Sequence, residues 1–293
     1  MTSFSLPAPA KLNLFLHVTG RRADGYHDLQ TLFALLDHGD QLQFQAADAL
    51  TLTCDQPELP VDDSNLVLRA ARLLREHSGC QRGARLHLHK RLPAGGGLGG
   101  GSSDAATTLW GLNHLWGLNL DPSRLAALGL QLGADVPVFV HGRSAWAEGV
   151  GDRLQAVELR PQWFLVVNPG ISVSTARIFG DRELTRHTPA ITLPASLEPA
   201  TFTALGNDCE PVAKRHFPEI GTVLEWLERN AGNARMTGTG ACCFAHLTGQ
   251  QSARQLLQGL PQHWTGFIAR STARSPLHEA LAQLRSKNNS GAI

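Results

Sequence analysis

The sequence predicts a mixed α/β protein in two units, and three observations carry that expectation. Apolar residues alternate with period two at residues 12–18 and 84–91, and a strand-like apolar run occupies 163–167. They recur at helical spacing at 64–77, 105–116 and 220–229. The texture changes beyond Gly151-Asp152, which divides the 293 residues near position 155 into units 1–155 and 156–293, each of ordinary domain size.

In the first strand Leu12, Leu14, Leu16 and Val18 share a face, so Lys11 and Asn13 project together from the other. Asp24-Gly25 marks a turn that presents Tyr26 and His27 just after it. The first helix takes Ser64 as its cap, Leu66, Ala70, Leu73 and Leu74 as its apolar face, and Gly79 as its stop. The strand at 84–91 ends on Lys90-Arg91 and leads through Leu92-Pro93-Ala94 into residues 95–101, six of which are glycine. Ala105, Leu109, Leu112 and Trp116 follow at helical spacing, giving a helix whose first turn is Ser102-Ser103-Asp104. Asp121-Pro122 and Gly133 bracket another helix. Residues 134–140 then hold a single carboxylate, Asp135, among apolar neighbours. The second unit reads as a Pro- and Thr-rich connection at about 185–203, a turn at 237–241 feeding a strand at 242–247, helices near 251–257 and 276–284, and a frayed polar tail at 286–293.

Composition removes several function classes. With 26 Lys+Arg against 25 Asp+Glu, the net charge of +1 leaves no basic surplus for nucleic acid or an anionic membrane. An apolar content of 42% excludes disorder as a whole. Five cysteines, an odd number without a CxxC pair, argue against a disulfide framework or zinc ribbon and fit a reducing compartment. Pro7, Pro9 and Lys11 interrupt the apolar run a signal peptide needs, and no uncharged apolar stretch reaches the ~18 residues of a membrane span, so the expected setting is the cytoplasm. His87 and His89 alternate on one strand face without a third ligand at metal spacing, and no metal ligand is assigned.

A glycine run between a strand and a helix start lets consecutive backbone N–H groups approach a bulky anion, and the positive end of the helix dipole adds to them. A phosphate site is the natural expectation. The P-loop pattern fails, because Gly101 stands after Gly100 where lysine belongs. The dinucleotide pattern matches formally at Gly95, Gly97 and Gly100, with Asp121 at about the spacing of a ribose-binding acid, and keeps a dinucleotide-dependent oxidoreductase as an alternative. Pro93 and the hydroxyl pair Ser102-Ser103 count against it.

Three ordered segments now combine: Pro9-Ala10-Lys11-Leu12-Asn13, then Leu92-Pro93 with residues 95–104, then Thr237-Gly238-Thr239-Gly240-Ala241-Cys242. Together they resemble the three motifs of the GHMP small-molecule kinases, and residues 20–27 and 132–139 extend the resemblance over nearly the whole chain. Asp104 departs from the wider family, in which many members have alanine, and the loop carries extra glycines.

The resemblance implies an α/β (α+β) two-domain sandwich, with residues 1–155 as the ATP-binding domain, 156–293 as the C-terminal domain, and the active site in the cleft between them. It implies ATP with Mg²⁺ and transfer to the 2-hydroxyl of a cytidine diphosphate derivative of a methylated tetritol, in the methylerythritol phosphate route to isoprenoid precursors. The enzyme would be a monomer or homodimer. Pro93, Ala94, Gly95, Gly96, Gly97, Leu98, Gly99, Gly100, Gly101, Ser102, Ser103 and Asp104 would hold the triphosphate, with Asn65 near adenine. Asp135 becomes the general base, desolvated by its apolar neighbours, with Lys11 as its catalytic partner. Substrate would be met by Asn13, Lys90, Thr175, Gly238, Thr239 and Gly240, with Tyr26 and Phe179 as stacking walls and His27 as the reader of the base edge.

Overall fold

The computed structural model describes residues 3–193, 197, 202 and 205–290. Strands β1 (Ser3–Arg21), β2 (His27–Ala47), β3 (Leu50–Cys54), β4 (Gly83–His89), β5 (Ala145–Glu148) and β6 (Arg153–Ala156) build the first sheet. Its order is β3-β4-β2-β5-β6, and β1 lies along β2 as the other arm of a long antiparallel hairpin. A second sheet holds β7 (Trp163–Asn168), β8 (Arg235–Met236), β9 (Cys243–Leu247) and β10 (Thr265–Arg270) in the order β10-β7-β9-β8. Helices α1 (Leu66–Ser78), α2 (Gly100–Leu115), α3 (Pro122–Leu130) and α4 (Val136–His141) precede β5 in the chain. Then come α5 (Thr175–Phe179), α6 (Glu210–His216), α7 (Pro218–Ala231), α8 (Gln250–Gln258) and α9 (Pro276–Ser290). No helix among the described residues is long and apolar enough to cross a membrane.

β1 shows why period two alone under-reads this strand. Leu6 and Ala8 enter the core between the first sheet and its helices, Ala10, Leu12, Leu14 and Phe15 enter a core between the two sheets, and Leu16 and Val18 join that of the second sheet. Register shifts between Pro9 and Lys11, Asn13 and Leu16, and Val18 and Gly20 re-aim the strand from one core to the next, so both faces are covered.

Three local expectations are corrected. Asn65, not Ser64, caps α1: its side chain accepts from the Val67 N–H at 2.9 Å, while the Ser64 hydroxyl donates to Asp62. α2 begins at Gly100, inside the glycine run, because Gly99 already holds the cap position and Ser103 N–H closes the first turn on the Gly99 carbonyl at 2.8 Å. The backbone of the tail expected to fray is helical through Ser290, and α9 returns to the first core, where Leu277 and Leu281 are buried.

α2 approaches the sheet closely at Gly111. A Cβ there would stand 2.3 Å from the Phe44 ring, so the absence of a side chain lets the helix lie against β2 and brings its N-terminus to the end of β4.

Candidate active site

The glycine run, the Lys11 strand and the 237–241 turn are far apart in sequence and are sewn together by backbone hydrogen bonds. Lys11 N–H donates to the Leu98 carbonyl at 3.0 Å, Ala241 N–H to Gly95 at 3.0 Å, and Cys242 N–H to Gly96 at 3.1 Å. Thr237 Oγ1 accepts from the Asn13 N–H at 3.0 Å and donates to the Gly97 carbonyl at 3.3 Å. Asn207, which carries no motif, donates to the carbonyls of Met236 and Gly238, both at 2.8 Å, and holds the turn from below.

Lys11 is buried at this junction. Its Nζ donates to Asn13 Oδ1 at 2.5 Å and to the Gly97 carbonyl at 3.0 Å, and it lies 3.4 Å from Asp135 Oδ2. The common face expected for Lys11 and Asn13 is therefore present. Asp135 occupies the cap position of α4, yet its side chain caps nothing, and a third of it is exposed. The carboxylate lies beside a cation and faces the cavity rather than being enclosed by its apolar neighbours in sequence.

Lys11 and Asp135 face a cavity of about 1100 Å³ whose wall also carries residues 93–102, Asp104, Asn65, Asn13, Lys90, Tyr26, His27, Thr175, Phe179, Gly238 and Thr239. Two expected members lie off it. Ser103 is turned into the α2 packing with no solvent exposure, and Gly240 faces the second core, where a Cβ would meet Met236 Sδ at 2.9 Å. Asn65 reaches the wall, but its side chain is occupied by the α1 cap and by the Pro60 carbonyl. The N-terminus of α2 opens on this wall without a side-chain cap or an acidic residue in its first turn, which leaves its N–H groups and dipole for an anion.

Lys90, expected as a substrate contact, is already engaged by two carboxylates. Its Nζ donates to Asp40 Oδ2 at 2.5 Å and to Asp104 Oδ2 at 2.9 Å. Burial opposes its charge, but Asp104 and Asp40 together hold the ammonium above the ordinary lysine value. Asp40 also accepts from the N–H groups of Arg91 at 2.6 Å and Leu92 at 2.8 Å, so one buried carboxylate sets the exit from β4 into the cradle. Sequence reading missed Asp40, which sits fifty residues from these partners in a strand with no motif.

Burial raises Asp104 from 3.8 to about 7, Lys90 pulling it down and Asp40 pushing it up. Between those values the folded protein holds a proton that the unfolded chain has released, so this group makes stability fall as pH rises from about 4 to about 7 and adds no slope beyond. Asp104→Asn, which imitates the protonated carboxyl, is expected to remove that slope from denaturant midpoints measured between pH 4 and pH 8.

On the opposite side of the cavity Tyr26 is 65% exposed on its turn, while His27 is buried and its ring lies 5.2 Å from that of Phe179 at 26°. The expected wall and reader thus touch one another. Burial, with Arg186 and Arg21 nearby, holds His27 below the ordinary histidine value, so its imidazole is neutral at neutral pH. The Thr175 and Thr239 hydroxyls are 3.1 Å apart and join α5 to the 237–241 turn. Cys242 packs under Gly96, and burial pushes its thiol up to about 12, in keeping with a packing role.

The GHMP kinases N terminal domain matches residues 65–143, and the GHMP kinases C terminal domain matches 195–266. The 4-diphosphocytidyl-2-C-methyl-D-erythritol kinase of Alcanivorax borkumensis is 63% identical, covering 99% of each chain. That of Halorhodospira halophila is 52% identical over 97% of this chain and 98% of its own. A crystal structure of 4-(cytidine 5'-diphospho)-2C-methyl-D-erythritol kinase superposes with a TM-score of 0.79 at 36% identity, over 92% of this chain and 100% of the other. The fold extends to the mevalonate kinase of Methanococcus jannaschii, with a TM-score of 0.68 at 15% identity over 92% and 98%. With relatives that match it from end to end and a cavity wall assembled from all three motifs, the chain belongs to the GHMP kinases, in the family of the 4-diphosphocytidyl-2-C-methyl-D-erythritol kinases.

Proposed function

We propose that this small-molecule kinase transfers the γ-phosphoryl group of ATP to the 2-hydroxyl of 4-diphosphocytidyl-2-C-methyl-D-erythritol, giving the 2-phosphate and ADP in isoprenoid precursor biosynthesis. The observation that carries this is the meeting of the Lys11–Asp135 pair with the uncapped N-terminus of α2 on one cavity wall. The N–H groups of the glycine run and of the first turn of α2 bind the triphosphate. Asp135 accepts the proton of the hydroxyl as its oxygen attacks the γ-phosphorus, the bond from phosphorus to the β–γ bridging oxygen breaks, and ADP departs. Lys11 orients the carboxylate and offsets the charge that develops on the phosphoryl oxygens. Residues 1–155 form the ATP-binding unit and 156–293 the unit across the cleft, with α9 returning to the first core.

The wall offers oxygen donors suited to a magnesium ion carried by the phosphates, which needs only one or two protein oxygens. Ser102 Oγ would hold it, and the ion would neutralise phosphate charge.

The dinucleotide alternative loses its support in the fold. The strand that follows the glycine run and its helices, β5, does not pair with β4 but flanks β2, which runs antiparallel to both. The run therefore does not join two adjacent parallel strands as a dinucleotide fold requires, and Asp121, the acid a ribose would need, caps α3 through the Arg124 N–H at 2.9 Å. The experiment is ADP release with 4-diphosphocytidyl-2-C-methyl-D-erythritol, mevalonate, homoserine and galactose as acceptors. Preference for the first is expected, and preference for another would refute the substrate while leaving a kinase.

A further inference from the structure

Arg186 lies in no motif, yet every donor of its guanidinium is engaged. Nε donates to His27 Nε2 at 3.0 Å. One terminal nitrogen donates to the carbonyls of Arg182 at 3.4 Å and Leu184 at 3.1 Å, the other to those of Phe179 at 3.2 Å and Asp181 at 2.5 Å. Five N–H groups thus meet five acceptors: one carbonyl on the last residue of α5, three in the segment that follows it, and the His27 ring, which stacks on Phe179. Such a saturated planar fork holds the Phe179 carbonyl and the His27 ring in one frame.

A guanidinium has donors and no acceptor. The ring nitrogen that faces it must therefore carry a lone pair, so in the neutral imidazole the proton resides on Nδ1. The hydrogen bond to Arg186 is the one recorded for the His27 ring among the described residues, which leaves Nδ1–H available while the ring lines the cavity. We infer that Arg186 is a positioning residue for base selection: it locks His27 as an Nδ1–H donor, which accepts a pyrimidine whose ring nitrogen is an acceptor, as N3 of cytosine is, and disfavours uracil, whose N3 carries hydrogen. The inference rests on the substrate reading given above, but the tautomer itself does not.

Two measurements separate them. The first is the nitrogen-15 spectrum of His27 in the intact enzyme without substrate, for wild type, Arg186→Met and Arg186→Lys. The wild type is expected to show Nδ1–H, the lysine variant, still a donor without an acceptor, to retain it, and the methionine variant to show a tautomer mixture. The second is kcat/KM for the cytidine substrate and for its uridine counterpart. Loss of one discriminating hydrogen bond should lower the cytidine-to-uridine ratio about tenfold in Arg186→Met, mainly through KM for the cytidine substrate. An Nε2–H tautomer in the wild type overturns the inference even if the methionine variant does not fold. So does a folded Arg186→Met that keeps the wild-type ratio. A wild type with Nδ1–H that uses neither substrate overturns the substrate reading, and the base selection with it, while the lock on the tautomer stands.

Discussion

Asp135→Asn is expected to lower kcat by about 10²- to 10⁴-fold with little change in KM for ATP, the loss typical of removing a positioned general base. Asparagine keeps the shape of the side chain but cannot take the hydroxyl proton. Little else should move, because the carboxylate caps no helix, and Lys11 keeps its bonds to Asn13 and the Gly97 carbonyl when its partner at 3.4 Å becomes neutral. Steady-state rates at saturating ATP, beside a binding isotherm for ATP, check both halves of the expectation. A variant with wild-type kcat would remove Asp135 from the proton transfer.

Gly97→Ala is expected to destabilise the fold by about 3 kcal/mol or more and to abolish saturable ATP binding. Gly97 has φ +74°, in the left-handed region, and a Cβ there would stand 2.2 Å from the Thr237 carbonyl oxygen and 3.1 Å from that of Gly240. Both obstacles are backbone, so neither can rotate away. The clash would push the 237–241 turn off the glycine run and separate Thr237 from Lys11, which both donate to the Gly97 carbonyl. A denaturant midpoint and calorimetry of ATP binding test this. Wild-type values for both would show that the close approach of the two loops is not required.

What the sequence made legible was local. Alternation in β1 put Lys11 and Asn13 on one face, the glycine run announced a phosphate cradle at a helix start, and Asp121-Pro122 opened α3. The register of distant pieces was not legible, because no periodicity reports which carbonyl an amide will find. The bond from Asn13 to Thr237 spans 224 positions, and that from Arg186 to His27 spans 159. Lys90 looked like a free cation because Asp40, which claims it, is remote and carries no pattern. Asn65 and Ser64 are adjacent candidates for one cap, and the neighbouring Asp62 decided between them by taking the Ser64 hydroxyl. Asp135 was expected to be desolvated because its sequence neighbours are apolar, but those side chains pack into the first core while the carboxylate faces the cavity.

Phosphorus-31 spectra of the enzyme with ATP, magnesium and 4-diphosphocytidyl-2-C-methyl-D-erythritol test the central claim, that Asp135 and Lys11 deliver the γ-phosphoryl group to this acceptor. The predicted result is a new phosphomonoester on the acceptor, formed in step with ADP and lost in Asp135→Asn. ADP accompanied only by inorganic phosphate, or a phosphomonoester that Asp135→Asn forms at the wild-type rate, would contradict it.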